Sequence, residues 1–414
     1  MSHSSSLQLF EAFGVELEYM IVDRHTLQVK PIADQLIREQ AGAFVSELEA
    51  GEMAWSNELV LHVIELKTNG PARNLAPLPA LFQQQVDRIN RILARYEAML
   101  LPTGMHPLMD PASDTHLWPH DYNAVYQAYD RIFNCQGHGW SNLQSTHLNL
   151  PFPDDAAFGR LHAAIRLLLP LIPALCASSP LVQGRLTGFR DTRLEVYRLN
   201  QARIPAIAGS IIPEAVFSRE AYEAQILQKI YRDIAPYDPA GILQDEFLNS
   251  RGAIARFSRG TIEIRLADIQ ECPQADLAIM QVLVAVLKRL ANEKWISLKG
   301  QQSWHPEELA EIFLEVIQHG LDTVLVNASF LHGFGMRCSA CTARELWQHL
   351  WQVVEEENTF PDEVRTVIEV VLKEGNLAER ISRALGPEPG AGAITRVYRQ
   401  LATCLAGGTM FLPG

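Results

Sequence analysis

Several β-like runs in this chain carry acidic residues among apolar ones, where a charge is costly unless it is paired or metal-bound. In FGVELEYMIV, Glu16 and Glu18 are two apart, so a strand projects both carboxylates from one face and Val15, Leu17 and Tyr19 from the other. Two carboxylates side by side repel, and a divalent cation turns that repulsion into attraction. A solvated face of an amphipathic strand shows the same alternation, so this segment by itself leaves both readings open.

The second acidic run is NELVLHVIELKTNGP, where Glu58 and Glu65 bracket the β-prone Val60, Val63 and Ile64. They are an odd number of residues apart, so a regular strand sends them to opposite faces. A shared site then needs a bulge or strong twist between them; otherwise Glu58 ends a turn and only Glu65 faces the site. In STHLNLPF, His147 and Asn149 share a face that Leu148 and Leu150 do not, which suits a ligand or substrate role as well as a structural histidine. In FSRGTIEIRLADIQECP, Glu263 and Arg265 share another. A plain salt bridge explains that pair, but at a phosphoryl-transfer site Glu263 would ligate Mg²⁺ while Arg265 neutralises charge on the phosphate. SSPLVQGRLTGFRDTRLEVYR gathers Arg185, Arg190, Arg193 and Arg198 around two glycines, which suits either an anion-binding loop or a solvated surface loop.

Composition narrows the partners. The chain has 414 residues, 48% of them hydrophobic, and its 35 basic against 48 acidic residues give a net charge of -13. That charge disfavours nucleic acid and anionic membrane. The Ser-rich start, residues 1–10, lacks a basic n-region and an apolar core, so no secretory signal is expected and the cytosol is the expected compartment. The most apolar stretch, 167–182, is broken by Pro170, Pro173 and Pro180 and reads as buried helix and turn. Cys338 and Cys341 form a lone CSAC pair without a second ligand pair, so plain thiols with no catalytic role are expected. GxxxxGK[ST], GxGxxG after a strand, and HExxH are missing. Any ATP would therefore be held mainly by metal ions and arginines rather than by a glycine-rich nest.

The pattern is α+β. Strands are expected at 13–22, 58–67, 145–150 and 261–267, and helices at 78–100 and 158–176. After Pro273 the periodicity is helical, over 274–292, 307–319, 343–357, 363–374 and 394–406. The expected division is a catalytic core over 1–300 and a helical C-terminal portion over 301–414 packed on the same domain. GPEPGAG, 386–392, is the most linker-like stretch and serves equally as a helix-to-helix loop.

Taken in order, GVELEY, the E-L-V-L-H-V-I-E spacing, TGMHP, HLNL, SSPLVQGRLTGFR and GTIEIRLADIQ resemble the glutamate-cysteine ligase family 2, the bacterial carboxylate-amine ligases. The resemblance covers roughly residues 13 to 290. It implies a glutamine-synthetase-like antiparallel sheet whose concave face holds Mg²⁺ (or Mn²⁺) and ATP, with helices packed behind. Carried over by position, Glu16, Glu18, Glu58, Glu65, His147 and Glu263 would be metal ligands, and Arg265, with Arg256 and Arg259, would contact the nucleotide. Glu65, Glu263 and Arg265 would carry the catalysis; Asn149, Arg185, Arg190 and Arg193 would bind the substrate acid or the phosphate. Where many relatives have a third Glu this chain has Leu17, and where many have HxH it has His147 and Asn149.

The implied reaction activates a carboxylate, glutamate or a similar amino acid, with ATP to an acyl phosphate that an amine, cysteine in the family's namesake, then attacks. Small-molecule acid and amine are the implied partners, and a homo-oligomer fits as well as a monomer. The competing readings are an amide or isopeptide hydrolase, a guanidino-kinase-like phosphotransferase, and a nucleotide-binding paralogue without activity.

Overall fold

The computed structural model describes residues 7–413, so most of the Ser-rich start lies outside the described residues. Its strands are β1 (Gly14–Asp23), β2 (Glu47–Ala50), β3 (Met53–Asn57), β4 (Val63–Thr68), β5 (Ala98–Leu101), β6 (Ser145–Pro151), β7 (Leu181–Val182), β8 (Arg185–Leu186), β9 (Ala253–Arg256) and β10 (Thr261–Asp268), with a short pair, β11 (Val324–Leu325) and β12 (Cys341–Thr342), among the C-terminal helices. Eight of them form one antiparallel sheet in the order β2-β3-β4-β1-β6-β10-β9, with β5 pairing onto the second half of β1. β7 and β8 form a separate hairpin.

One face of this sheet is apolar and buried: Val15, Leu17, Tyr19, Trp55, Ile64, Leu66, Leu148, Leu150, Ile262 and Ile264 enter the main core. The helices Leu78–Leu93, Asp155–Leu168 and Pro273–Ala291 cover it. The last of these is apolar on nearly all sides, as befits a helix enclosed by neighbours. Its start is set by Pro273 at the first helical position, and the Asp154 side chain caps Asp155–Leu168 by accepting from Ala157 N. The helical run 155–176 is long and apolar enough to cross a bilayer, but 94% of its apolar window is packed inside the fold.

Helices Pro306–His319, Ala343–Glu357 and Asp362–Glu374 add their apolar stripes to the same core, so residues on both sides of position 300 share it. Ala343–Glu357 starts on a capping box made by Thr342 and Glu345. Helices Leu377–Leu385 and Ala391–Gly407 pack on Met20, Val22 and Leu101 at the far end of β1 and β5, forming a second core cluster. Of the stretch 386–392, residues 386–390 connect those two helices and 391–392 begin the second.

Two expected elements are built differently. The run 58–67 is not one strand: the chain reverses after Asn57 and re-enters the sheet at Val63, with Ser56 opposite Glu65. The run 78–100 is helical only to Leu93; after a short 3₁₀ turn, Glu97 takes a left-handed φ of 51° and Ala98–Leu101 joins the sheet beside β1. Pairing an apolar AMLL segment with β1 overrides its helical spacing.

Two buried histidines add a pH dependence. Burial pushes the imidazoles of His62 and His106 down to about 4, well below the ordinary 6.5. His106 Nε2 donates to Leu27 O at 2.7 Å while its Nδ1 accepts from Leu108 N at 3.1 Å, which fixes the neutral tautomer. Between pH 6.5 and 4 the unfolded chain therefore binds protons that the folded chain does not, so stability is full above pH 6.5 and falls as pH drops through that window. His106→Gln keeps one donor and one acceptor without the titration. Its melting temperature should fall less steeply than wild type between pH 6.5 and 4.5; parallel slopes would show that His106 is not held neutral by the fold.

Candidate functional site

The polar face of the sheet lines a cleft of about 390 Å³. Strand register builds it. Glu18 lies opposite Glu65 on β4, Glu16 opposite His147 on β6, and Glu263 on β10 opposite Asn149. Residues two apart on each strand share that face, so five strands deliver their polar side chains to one place. The β3–β4 reversal resolves the odd spacing of Glu58 and Glu65. Ser56 stands beside Glu65, Glu58 follows two residues on, and both glutamates line the cleft.

The groups interlock. His147 Nδ1 is 2.9 Å from Glu16 Oε2, and Asn149 Nδ2 donates to Glu16 Oε1 at 3.0 Å. Glu18 Oε2 accepts from Ser145 N at 2.6 Å and from Ser145 Oγ at 2.9 Å. Since that hydroxyl donates to Glu18, it accepts from His147 Nε2 at 2.8 Å, so both ring nitrogens of His147 carry protons. Burial works against the imidazolium, but the Glu16 hydrogen bond and the surrounding carboxylates lift its pKa to about 9. Burial is the largest influence on Glu16 and opposes its ionised form, but the bond from His147 and the charges of His147 and Lys67 together outweigh it and leave Glu16 below the usual carboxylate range. Glu263 is held at about 2 because Arg265, His147 and Arg256 overcome its burial. It accepts from Arg265 Nε at 3.1 Å and from Arg256 at 3.3 Å.

The other half of the cluster lacks such compensation. Burial and then the charge of Glu16 push Glu65 up to about 7, although Ser56 Oγ donates to it at 2.5 Å and Lys67 Nζ lies 3.4 Å away. Burial, then Glu18, Glu65 and Glu16, drive Glu58 well above the carboxylate range. Buried carboxylates that repel each other's ionisation are the setting in which a divalent cation is most favoured. Two groups could hold a metal ion: Glu16, His147 and Glu263, and Glu18, Glu65 and His147, each with donor atoms within 4.8 Å of one another. His147 is common to both. Glu58 lines the same cleft but lies outside these two sets.

The arginines separate. Arg193 lines the cleft with Arg256, Arg259 and Arg265. Its Nε donates to Asp268, whose second oxygen accepts from Ser178 N at 2.8 Å and Ser179 Oγ at 2.7 Å. Gly104 has no room for a side chain, since a Cβ there would stand 2.4 Å from the Asp268 carboxyl carbon. Arg185 is exposed on the β7–β8 hairpin, and Arg190 lines a separate groove with His319 and Asp322. The loop thus brings one of its three candidate arginines to the cleft: the β7–β8 hairpin carries Arg185, and Arg190 N donates to Ile317 O and Gln318 O at the end of helix Pro306–His319. Sequence reading missed Ser145, Ser56, Lys67 and Asp268. The alternation that singled out His147 and Asn149 extends back to Ser145, and Lys67 is two residues from Glu65; Ser56 and Asp268 emerge only from pairing across the fold.

Residues 12–400 match glutamate-cysteine ligase family 2. The chain belongs to this family. It is an ATP-dependent ligase that joins a carboxylate to an amine. An uncharacterized protein of Archaeoglobus fulgidus is 32% identical over 96% of this chain and 100% of its own length. A protein of Rubrobacter xylanophilus, provisionally named glutamate-cysteine ligase 2-3, is 25% identical over 83% of this chain and 84% of its own. Among solved structures, the glutamate-cysteine ligase of Francisella tularensis in complex with AMP superposes with a TM-score of 0.60 at 13% identity, over 97% of this chain and 94% of that one. At that identity the likeness shows the fold, a glutamine-synthetase-like antiparallel sheet with helices around it.

Ser145 provides a test of the cluster's construction. Ser145→Ala removes the hydroxyl between Glu18 and His147 but keeps the backbone bond to Glu18, so the fold should survive. Mn²⁺ affinity measured by calorimetry should fall by about 10–100-fold, the usual loss when a ligand's hydrogen-bonding support is removed. Unchanged affinity would show that the hydroxyl does not orient the cluster.

Proposed function

We propose that the cleft activates the carboxylate of glutamate or a similar amino acid as an acyl phosphate and passes the acyl group to an amine. The observation that carries this reading is the pair of ligand sets joined at His147 beside four cleft arginines. Glu16, Glu18, Glu65, His147 and Glu263, with Glu58 alongside, would hold Mg²⁺ or Mn²⁺; the donors are mostly hard carboxylate oxygens, which suit these ions rather than Zn²⁺. When bound, the metal supplies charge neutralisation of the ATP phosphates.

The chain's own residues do the rest. Arg265 and Arg256, each already bonded to Glu263, are placed to meet phosphate oxygens, and Arg259 stands exposed at the cleft mouth. Arg193, braced by Asp268, presents a fixed guanidinium for the acid's carboxylate or the transferred phosphate. Asn149 orients Glu16 and is the second candidate contact to the acid. A carboxylate is a poor electrophile; phosphorylation gives it a leaving group, and the amine displaces phosphate. Positioning and charge neutralisation supply most of the acceleration in such a transfer. We read 301–414 as an outer layer of the same domain as 1–300, the substrates as small molecules, and the compartment as the cytosol. Glutamate and cysteine, the pair in the family's name, are the first to assay.

Oxygen label decides the route. With ¹⁸O in the acid's carboxylate, the released phosphate must carry label, because that oxygen becomes the bridge to phosphorus; unlabelled phosphate would point to hydrolysis. Glu65→Gln and Glu263→Gln should each abolish the labelled product while the chain still folds, with a lower melting temperature for Glu263→Gln because it leaves Arg265 and Arg256 without their carboxylate. The double variant should be no worse than either single one, because the two carboxylates act on one cluster.

A further inference from the structure

The register sorts the cleft lengthwise. Thr261, opposite Arg256 on β9 and Pro151 on β6, marks one end, and Arg259 lies in the adjoining β9–β10 turn. Toward the other end lie Ser145, Glu18, Arg265 and Glu58. The cleft also carries an apolar wall contributed by segments that played no part in the site above. Tyr129 packs against Trp140 at 5.1 Å between ring centroids and against Phe247 at 6.5 Å. The charge of Arg265 acts on Tyr129, and the neighbouring Tyr126 hydroxyl accepts from Asn57 Nδ2 at 2.9 Å beside Glu58. A group held on these rings is therefore next to the phosphate-binding arginine and to the carboxylate row.

The wall also carries two unanswered polar atoms. Gln201, 2% exposed, lines the cleft, and its Nε2 donates to Ser250 Oγ at 3.0 Å. The Ser250 hydroxyl itself donates to Leu248 O at 3.4 Å, so it can only accept from Gln201. Gln201 Oε1 is thereby fixed as an acceptor, and it is buried with no partner among the described residues. Trp140 Nε1, a donor, is likewise buried without a partner. Buried polar atoms are nearly always satisfied, so each is an address for a ligand group of opposite sense. A flat apolar body against the rings, an N–H toward Gln201 and an acceptor toward Trp140 together describe an aromatic α-amino acid.

We propose that this wall is the amine subsite, and that the amine it takes is an amino acid with an aromatic side chain. The proposal rests on the ligase reading above and names its second substrate. The amine nitrogen is delivered to Gln201 Oε1; the nitrogen lone pair forms the new C–N bond, the C–O bond to phosphate breaks, and the amine proton leaves to water.

The test uses the full chain with ATP, Mg²⁺ and glutamate, reading ADP release and product mass against phenylalanine, tyrosine, cysteine, serine and glycine. Phenylalanine or tyrosine should exceed serine and glycine in kcat/KM by about tenfold or more, the scale of aromatic contacts added to burial of the ring. Gln201→Ala should raise the KM for the amine about tenfold, the loss of one buried hydrogen bond, with the KM for ATP unchanged. Trp140→Phe, which keeps a ring, should preserve the aromatic preference. In the wild-type protein, phenylalanine without ATP should change the tryptophan emission, and Trp140→Phe should lose that change. Equal or better turnover of cysteine, serine or glycine would overturn the aromatic subsite while leaving the ligase standing. A rise in the KM for ATP in Gln201→Ala, or the same emission change with ATP alone, would reassign the wall to the nucleotide base. No ADP release with any acid and amine would fail the ligase reading itself and this inference with it.

Discussion

The mutual repulsion of buried carboxylates is the constraint on which the rest of the site depends. Glu65 is pushed up to about 7 and Glu58 further, whereas Glu16 and Glu263 stay ionised because His147 and two arginines stand against them. One half of the cluster is thus balanced by the chain's own cations, and the other half is not. A protein would keep such an arrangement only with a partner that rewards it, since removing the charges would cost the fold little. The imidazolium of His147, at the junction of the two ligand sets, holds the place of a positive charge in the free protein.

The fold serves this cluster by rigidity. Antiparallel register fixes which side chains meet, and the opposite face of the same strands is locked into the core through Val15, Leu17, Tyr19, Leu148 and Ile264. A one-residue slip of any strand would exchange the two faces, placing glutamates in the core and leucines in the cleft, so burial on one side enforces geometry on the other. Arg193 shows the same economy off the sheet. Asp268, at the end of β10, holds it through its side chain, and Gly104 leaves the space that this pairing needs.

Much of this was legible in the amino-acid order, because alternation is a local rule. Glu16 with Glu18, His147 with Asn149 and Glu263 with Arg265 each share a strand face by spacing alone, and the structure sets these three pairs on adjacent strands. Glu58 and Glu65 were harder: their odd spacing suggested a bulge, and the chain solved it with a reversal, which hydrophobic pattern cannot distinguish from a continuous strand. AMLL at 98–101 continued a helical period yet became a strand, since its pairing with β1 is a long-range contact. Arg185 and Arg190 were indistinguishable from Arg193 in the sequence, because which arginine of a loop turns inward depends on partners such as Asp268 far along the chain. The wall of Tyr129, Trp140, Gln201 and Phe247 left no signal, being drawn from separate segments that only the fold brings together.

Diffraction from crystals grown with Mn²⁺ and a non-hydrolysable ATP analogue, recorded at the manganese edge, tests the central claim most directly. The account predicts anomalous peaks within coordination distance of Glu16, His147 and Glu263 and of Glu18 and Glu65, with the analogue's phosphates on the Arg265 side of the same peaks. Manganese bound elsewhere, or a well-ordered nucleotide with Glu65 and Glu263 in contact only with protein, would contradict it.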